Sequence, residues 1–215
     1  MNHILTILVF FPALAGMLGF IVKKDSIRAY GITVAAIEFL LSLWLWFSFD
    51  GSNGGFQFVE LLPLIPEYGI NYYLGVDGIS LFIIVLSTFI TLIGLISLTI
   101  EKNLKNLIVS LLFLEMTMVG VFVALDAVMF YIFWELSLVP MLYIIGYWGS
   151  ELRIYASIKF FLYTFTGSMI MLVGMLYLAY LYYQATGSIS FAIPDWHNLI
   201  LPFDTQVWLF IAFFR

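Results

Sequence analysis

The sequence predicts an all-α membrane protein, a polytopic bundle of transmembrane helices. Of its 215 residues, 64% are hydrophobic and only 10% are charged, and the mean hydropathy is +1.10. Soluble domains carry about 25% charged residues, so this composition is typical of a chain that lies mostly in lipid. Apolar runs of about 20 residues, the length that crosses about 30 Å of hydrocarbon, recur along the chain.

Six apolar runs predict complete spans, and a seventh begins near the end of the sequence. The first run ends in Lys23 and Lys24 and has neither a basic leader nor a small-residue cleavage site, which predicts a retained span and not a signal peptide. All 215 residues are assigned to one membrane domain. The runs are 4–22, 29–49, 78–100, 107–125, 127–148, 155–183 and the incomplete 205–215.

Basic residues distinguish the two sides of the predicted bundle. Lys and Arg follow the first, third and fifth runs, whereas the opposite loops carry acids and no Lys or Arg. Because cytoplasmic loops collect Lys and Arg, the N-terminus is predicted to lie outside. Arg215 departs from this pattern, because it would fall partway through the seventh span.

The longest loop, 50–77, is predicted to form a β-hairpin on the outer face. It begins with the flexible turn GSNGG, and Pro63 and Pro66 preclude a long helix. Residues 55–59 and 69–74 alternate enough in polarity to form two short strands. The loop 185–202 is similarly polar and lies on the same side, so both loops are expected to pack on the outer end of the bundle.

Three glutamates are predicted to lie near the middle of the membrane. At about 1.5 Å per residue, Glu135 lies roughly 12 Å from the start of the fifth run, and Glu38 and Glu115 reach a similar depth from the other side. A charge there costs about 2–3 kcal/mol or more, and no Lys or Arg lies at that depth. At least one glutamate is therefore expected to be protonated and to handle protons. For Glu38 and Glu115 the alternative is a simple hydrogen bond to a neighbouring helix.

Glu135 is the strongest candidate for a functional residue. Pro140 cannot donate to the carbonyl of Leu136, which then needs water or another partner, so a hydrated pocket is expected beside Glu135. Lys159 is a second candidate for the proton path, although it lies more than ~10 Å from Glu135 along the membrane normal. The alternative is that Lys159 only extends its ammonium group to the inner membrane surface. Lys159 shares one helical stripe with Tyr163, Thr166, Gly167, Ile170 and Gly174.

The sequence excludes several kinds of chemistry within this chain. It has no cysteine, which excludes disulfides and cysteine-ligated clusters, and its two histidines leave little for haem or a metal centre. It also lacks a phosphate-binding glycine loop, an HExxH motif and a nucleophile elbow. No cofactor, no metal and no nucleic-acid partner are expected, and any redox chemistry must lie in a partner.

Three motifs carry a resemblance to a known family. They are FYIFWELSLVPMLYIIGYWG at 130–149, KFFLYTFTGSMIML at 159–172 and FVELLPLIPEYGINYYLGVDGIS at 58–80. Together they resemble the subunit M (chain 4) family of the proton-pumping NADH-quinone oxidoreductases, respiratory complex I. Subunits of cation/proton antiporters and of membrane-bound hydrogenases share parts of this pattern, so these remain alternatives. A structural scaffold whose acids only join helices is a third.

The resemblance implies an antiporter-like fold of about 14 helices with two inverted repeats, of which this chain is the N-terminal part. It implies a redox-inactive, proton-translocating subunit in a bacterial cytoplasmic membrane. FMN, iron–sulfur clusters and quinone are then expected in partner subunits, and other membrane subunits, including antiporter-like neighbours, surround this one. By the same resemblance Glu135 is the essential glutamate of the fifth helix, Lys159 matches a lysine of the sixth, and the central lysine of the seventh helix lies beyond Arg215.

Overall fold

Eight helices and a two-stranded antiparallel sheet make up the part of the chain that the computed structural model describes, residues 3–214. Short 3-10 turns at Lys24–Ser26 and Pro66–Tyr68 connect some of these elements. The elements in order are α1 Ile4–Leu18, α2 Ile27–Phe47, β1 Gln57–Ile65, β2 Ile70–Val76, α3 Gly78–Ser97, α4 Leu104–Val123, α5 Ala127–Trp148, α6 Arg153–Thr186, α7 Ile193–Trp196 and α8 Phe203–Phe213.

Five helices, α2 to α6, are long and apolar enough to cross a membrane. The membrane helix bundle is therefore present, but the first of the six predicted spans is shorter than expected. Helix α1 has 15 residues, which is about 22 Å, and the chain continues to Val22 through single turns instead of helix. Helix α8 begins at Phe203, two residues before the predicted seventh run, whereas Arg215 lies outside the described residues.

The helices run alternately up and down between two ends of the bundle. Helices α1, α3, α5 and α8 begin at the end that carries the β1–β2 hairpin, which we name the hairpin face. Helices α2, α4 and α6 begin at the opposite end, which we name the basic face because Lys23, Lys24, Lys102, Lys105 and Arg153 lie there. Residues of α1 to α5 and β2 enclose one buried apolar cluster, and residues of α1 to α4 enclose another.

The predicted hairpin is present and is hydrogen-bonded to the rest of the hairpin face. Strands β1 and β2 pair in the register Glu60 with Leu74, and Tyr73 accepts the amide of Leu125 at 2.8 Å. The turn between the strands contains Gly69 at φ +65°, where a Cβ would lie 2.2 Å from the carbonyl oxygen of Ile189. Only glycine fits this contact, which joins the hairpin to the loop before α7.

Three carboxylates cap α1, α3 and α5 at the hairpin face. Asp77 forms a capping box with Ser80 at the start of α3, and Asp126 accepts the first amides of α5. Glu60 does the same for α1 from a distant strand, because its carboxylate accepts the amides of Leu5 at 2.7 Å and Thr6 at 3.3 Å. Each carboxylate satisfies amides that have no partner within their own helix and favourably meets the positive end of the helix dipole.

Candidate functional site

The depth of Glu135 is set by the way in which α5 begins. Asp126 accepts the amide of Val128 at 2.9 Å and, through its other oxygen, the amide of Asn71 in β2 at 2.9 Å. Burial raises the pKa of Asp126, and its backbone hydrogen bonds only partly oppose this. From Ala127, the first residue of α5, Glu135 is eight residues along the helix, or about 12 Å from the hairpin face.

The direction in which Glu135 points is set by the packing of α5 on α4. Phe133 lies against Gly120, where an added Cβ would be only 2.4 Å from the ring. Two residues further along a helix the side chain has turned by about 200°, so Glu135 faces away from α4 and towards α6. There the hydroxyl of Ser168, which is 4% exposed, donates a hydrogen bond to the Glu135 carboxylate.

Tyr131 extends this contact between α5 and α6. It precedes Glu135 by one turn on the same face of α5, and its hydroxyl lies 3.7 Å from the sulfur of Met169, the residue after Ser168. The half-buried Glu135 therefore has hydroxyl groups along one side, in an otherwise apolar seam. Such a carboxyl group can take up or release a proton while keeping a hydrogen-bond partner.

Lys159 does not lie beside Glu135. It precedes Ser168 by nine residues, which corresponds to about 13.5 Å along α6 and about half a turn around it. Its ammonium group is exposed and lies 5.7 Å from the centroid of the Tyr155 ring. Within residues 3–214 no ion pair joins Lys159 to Glu135.

Lys159 instead faces an open groove of about 860 Å³ along α6, which Trp134 of α5 and Phe213 of α8 flank. The groove contains most of the stripe that the sequence predicts on this helix. Gly174 is the exception, because it packs on α8, where an added Cβ would lie 3.3 Å from Cβ of Ala212. The stripe residues that line the groove are Lys159, Tyr163, Thr166, Gly167 and Ile170.

The predicted layer of three glutamates is divided in the structure. Glu38 of α2 and Glu115 of α4 are 0% and 1% exposed, and each lies seven residues beyond the contact of Gly31 with Ile108. Glu135 faces α6, on the other side of α5. Depth along each helix can be counted from the sequence, but the rotation of each helix depends on contacts such as Phe133 on Gly120.

Comparison with known proteins identifies the family of this chain. Residues 124–214 match the family model described as "NADH:quinone oxidoreductase/Mrp antiporter, TM". The chain is 40% identical over 230 residues to NADH-quinone oxidoreductase subunit M of Rhodobacter capsulatus, covering 100% of this chain and 44% of that protein. It is 42% identical over 195 residues to NADH-ubiquinone oxidoreductase chain 4 of Arabidopsis thaliana, covering 87% of this chain and 37% of that protein. The chain belongs to the antiporter-like membrane subunit family.

A solved structure supports the same assignment for the fold. The chain superposes on a chain of respiratory complex I from Thermus thermophilus with a TM-score of 0.82 and 28% identity, covering 97% of this chain and 42% of that one. The chain thus spans less than half the length of these antiporter-like relatives.

Two residues of this antiporter-like chain have roles that its sequence does not reveal. Ser168 lies in the motif KFFLYTFTGSMIML, but nothing in its own pattern marks it as the partner of Glu135, since it lies outside the stripe of Lys159. Glu60 is 55 residues from the helix that it caps, and only the folding of the hairpin onto α1 brings the two together. Both contacts are between elements, so local periodicity does not predict them.

Proposed function

We propose that the subunit to which this chain belongs translocates protons across a membrane, as a redox-inactive part of an NADH:quinone oxidoreductase. The observation that carries the proposal is the carboxyl group of Glu135 near the middle of α5, held by Ser168 in the seam with α6. Family membership supports it, because the relatives at about 40% identity are named as subunits of that enzyme. An ionisable group at this depth is rarely kept without a role.

In this proposal Glu135 takes up and releases the proton. When it is ionised, its carboxylate accepts the hydrogen bond of Ser168, and when it is protonated its own hydroxyl group donates to a proton acceptor. Pro140 leaves the carbonyl oxygen of Leu136 free to accept such a bond or to hold a water molecule. Lys159 belongs to the part of the path that leads from the basic face, because the groove that it lines also includes Ser168, the partner of Glu135.

The remaining parts of the proposal follow from the family. The full subunit has about 14 helices in two inverted repeats, of which this chain supplies six spans and the start of a seventh. It lies in a bacterial cytoplasmic membrane with its N-terminus outside, beside other membrane subunits of the complex, including antiporter-like ones, and in contact with lipid. FMN, iron–sulfur clusters and quinone are bound by partner subunits.

The replacement Glu135→Gln in the full-length subunit tests the role of Glu135. Glutamine keeps the size of the side chain and an acceptor for Ser168, but it cannot release a proton. We expect proton uptake per quinone reduced, measured in membrane vesicles, to fall at least about tenfold. The matched control is Glu151→Gln in the exposed turn before α6, which should leave pumping unchanged. Unchanged pumping in the Glu135 variant would exclude its role in proton transfer.

A cation/proton antiporter without a redox partner is the second candidate, because the matching family model also covers Mrp antiporters. In that case the full-length protein alone, reconstituted in vesicles, would exchange sodium for protons, and no quinone reductase would copurify with it. Proton translocation that requires NADH oxidation would decide for the first candidate. A related subunit of a membrane-bound hydrogenase would instead couple proton translocation to hydrogen production.

A further inference from the structure

Glu38 of α2 and Glu115 of α4 are two buried glutamates inside the bundle. They are 0% and 1% exposed, and none of their four carboxylate oxygens has a hydrogen-bond partner within residues 3–214. A buried polar atom without a partner is destabilising, and a charged one more so. The arrangement therefore calls for a ligand that binds both carboxyl groups.

The packing of α2 on α4 explains why the two side chains meet. Both helices begin at the basic face and run parallel, and Gly31 lies against Ile108, where an added Cβ would be 2.6 Å from the isoleucine side chain. Seven residues further along each helix the same faces meet again, because two turns of helix bring a side chain back to within about 20°. Those residues are Glu38 and Glu115. The pair thus lies on the main line of contact between the helices.

None of the surrounding elements supplies a positive charge at this depth. Helices α1 and α3, which also pack here, contain no Asp, Glu, His, Lys or Arg. On α2 and α4 the first basic residues are Arg28 and Lys105, each ten residues or about 15 Å towards the basic face. The ammonium group of Lys105 is already bound to the carbonyl of Phe20 at 3.0 Å.

The other titratable groups on neighbouring elements also point elsewhere. The hydroxyl of Tyr30 on α2 donates to the carbonyl of Ala15 at 2.7 Å, eight residues from Glu38. Glu135 and Tyr131 on α5 face α6. Two ionised carboxylates in this setting would repel each other with no counter-ion, so a single small cation that both can hold is the simplest occupant.

We propose that Glu38 and Glu115 form a second proton-binding site, in which the two carboxyl groups share one proton, separate from Glu135. The protonated group donates its O–H to the ionised one, which gives both side chains a strong, charge-assisted hydrogen bond and reduces the buried charge from −2 to −1. Polar groups continue one turn further towards the hairpin face, where the hydroxyls of Ser42 and Thr88 lie 2.8 Å apart. The site does not depend on the proposed function of Glu135.

Infrared spectroscopy of the full-length subunit in its membrane complex tests this site. At neutral pH the wild type should show the carbonyl band of one protonated carboxyl group that the double variant Glu38→Gln, Glu115→Gln lacks. The single variant Glu38→Gln should shift or remove the same band, because Glu115 has lost its carboxyl partner. This variant tests the shared proton where the double variant does not assemble. The variant Glu135→Gln should keep the band, which separates this site from the proposed role of Glu135.

Glu101→Gln, at an exposed turn on the basic face, should leave the band unchanged. An unchanged band in the double variant, or in Glu38→Gln alone, would overturn the proposal. Loss of the intensity of two carboxyl groups would overturn the shared proton, since both groups would then be neutral. A band that appears only when sodium is removed would show that the pair binds a metal cation instead.

Discussion

Removing the carboxylate of Glu60 should release the start of α1 from the hairpin. Glu60 is 7% exposed, and its carboxylate accepts three hydrogen bonds, from the amide of Leu5, the amide of Thr6 and the hydroxyl of Thr6. These two amides belong to the first turn of α1, which has no other side-chain cap, because His3 at its N-cap position makes none. The replacement Glu60→Ala leaves both amides without their acceptor.

The magnitude follows from the surroundings of each donor. Leu5 is fully buried, so its amide cannot turn to water, and an unpaired buried donor costs about 1–3 kcal/mol. The Thr6 hydroxyl keeps Tyr72 as a partner at 2.8 Å, and the ion pair with the exposed His3 contributes little. Loss of negative charge at the helix N-terminus adds about 0.3–1 kcal/mol. We therefore expect Glu60→Ala to cost about 2–3 kcal/mol, and Glu60→Gln, which keeps an acceptor, about 1 kcal/mol.

Hydrogen exchange of the first turn of α1 in the lipid-reconstituted full-length subunit measures this effect. A loss of about 2–3 kcal/mol corresponds to exchange about 30- to 150-fold faster at the amides of Leu5 and Thr6. The matched control is Glu67→Ala, an exposed glutamate of the same hairpin, which should not change exchange there. Exchange in Glu60→Ala within about threefold of the wild type would refute the capping role.

Three further replacements test the packing and the site. Gly120→Ala should destabilise the bundle by about 1–3 kcal/mol in thermal unfolding, because its Cβ would meet Phe133 at 2.4 Å, whereas Gly94→Ala on α3, with nothing within 4 Å, should not. Burial raises the pKa of Asp126, so its contribution to folding stability should be fully present below the ordinary aspartate pKa of about 3.9 and should be lost as the pH rises through the folded-state pKa. Asp126→Asn should remove this pH dependence, which is measured as the unfolding midpoint against pH. Ser168→Ala should slow proton translocation about tenfold, the equivalent of one charge-assisted hydrogen bond, and Ser168→Thr, which keeps the hydroxyl group, should translocate at the wild-type rate. Equal rates in the wild type and both variants would exclude a positioning role for Ser168.

The sequence predicts positions along the helices better than contacts between them. The bounds of α5 coincide with the predicted run 127–148, because an aspartate cap and a long apolar stretch mark that helix locally. Helix α1 ends at Leu18 and not at Val22, since apolar composition continues through residues that form only single turns. A hydropathy pattern responds to lipid and burial alike and does not mark where helical hydrogen bonding stops.

In the candidate site, too, the sequence predicts positions along the helices but not the contacts between them. The depths of Glu38, Glu115 and Glu135 follow from counting residues, and the separation of Lys159 from Glu135 follows in the same way. The sequence cannot show which acids meet, because that depends on where small residues let two helices approach. Gly31 brings α2 to Ile108 of α4 and so unites one pair of acids, whereas contacts at other helices direct the third acid elsewhere.

Helix direction also accounts for part of the charge asymmetry on which the predicted orientation rests. At the hairpin face Glu60, Asp77 and Asp126 each cap a helix N-terminus, so acids are useful there whichever side of the membrane that face occupies. At the basic face the ammonium group of Lys105, in the first turn of α4, binds the carbonyl of Phe20, two residues after the end of α1. Acids at helix starts would therefore arise in this bundle even without a membrane potential. Because Lys and Arg, and not acids, determine topology, only the basic residues that make no such contact carry independent information about which face is cytoplasmic.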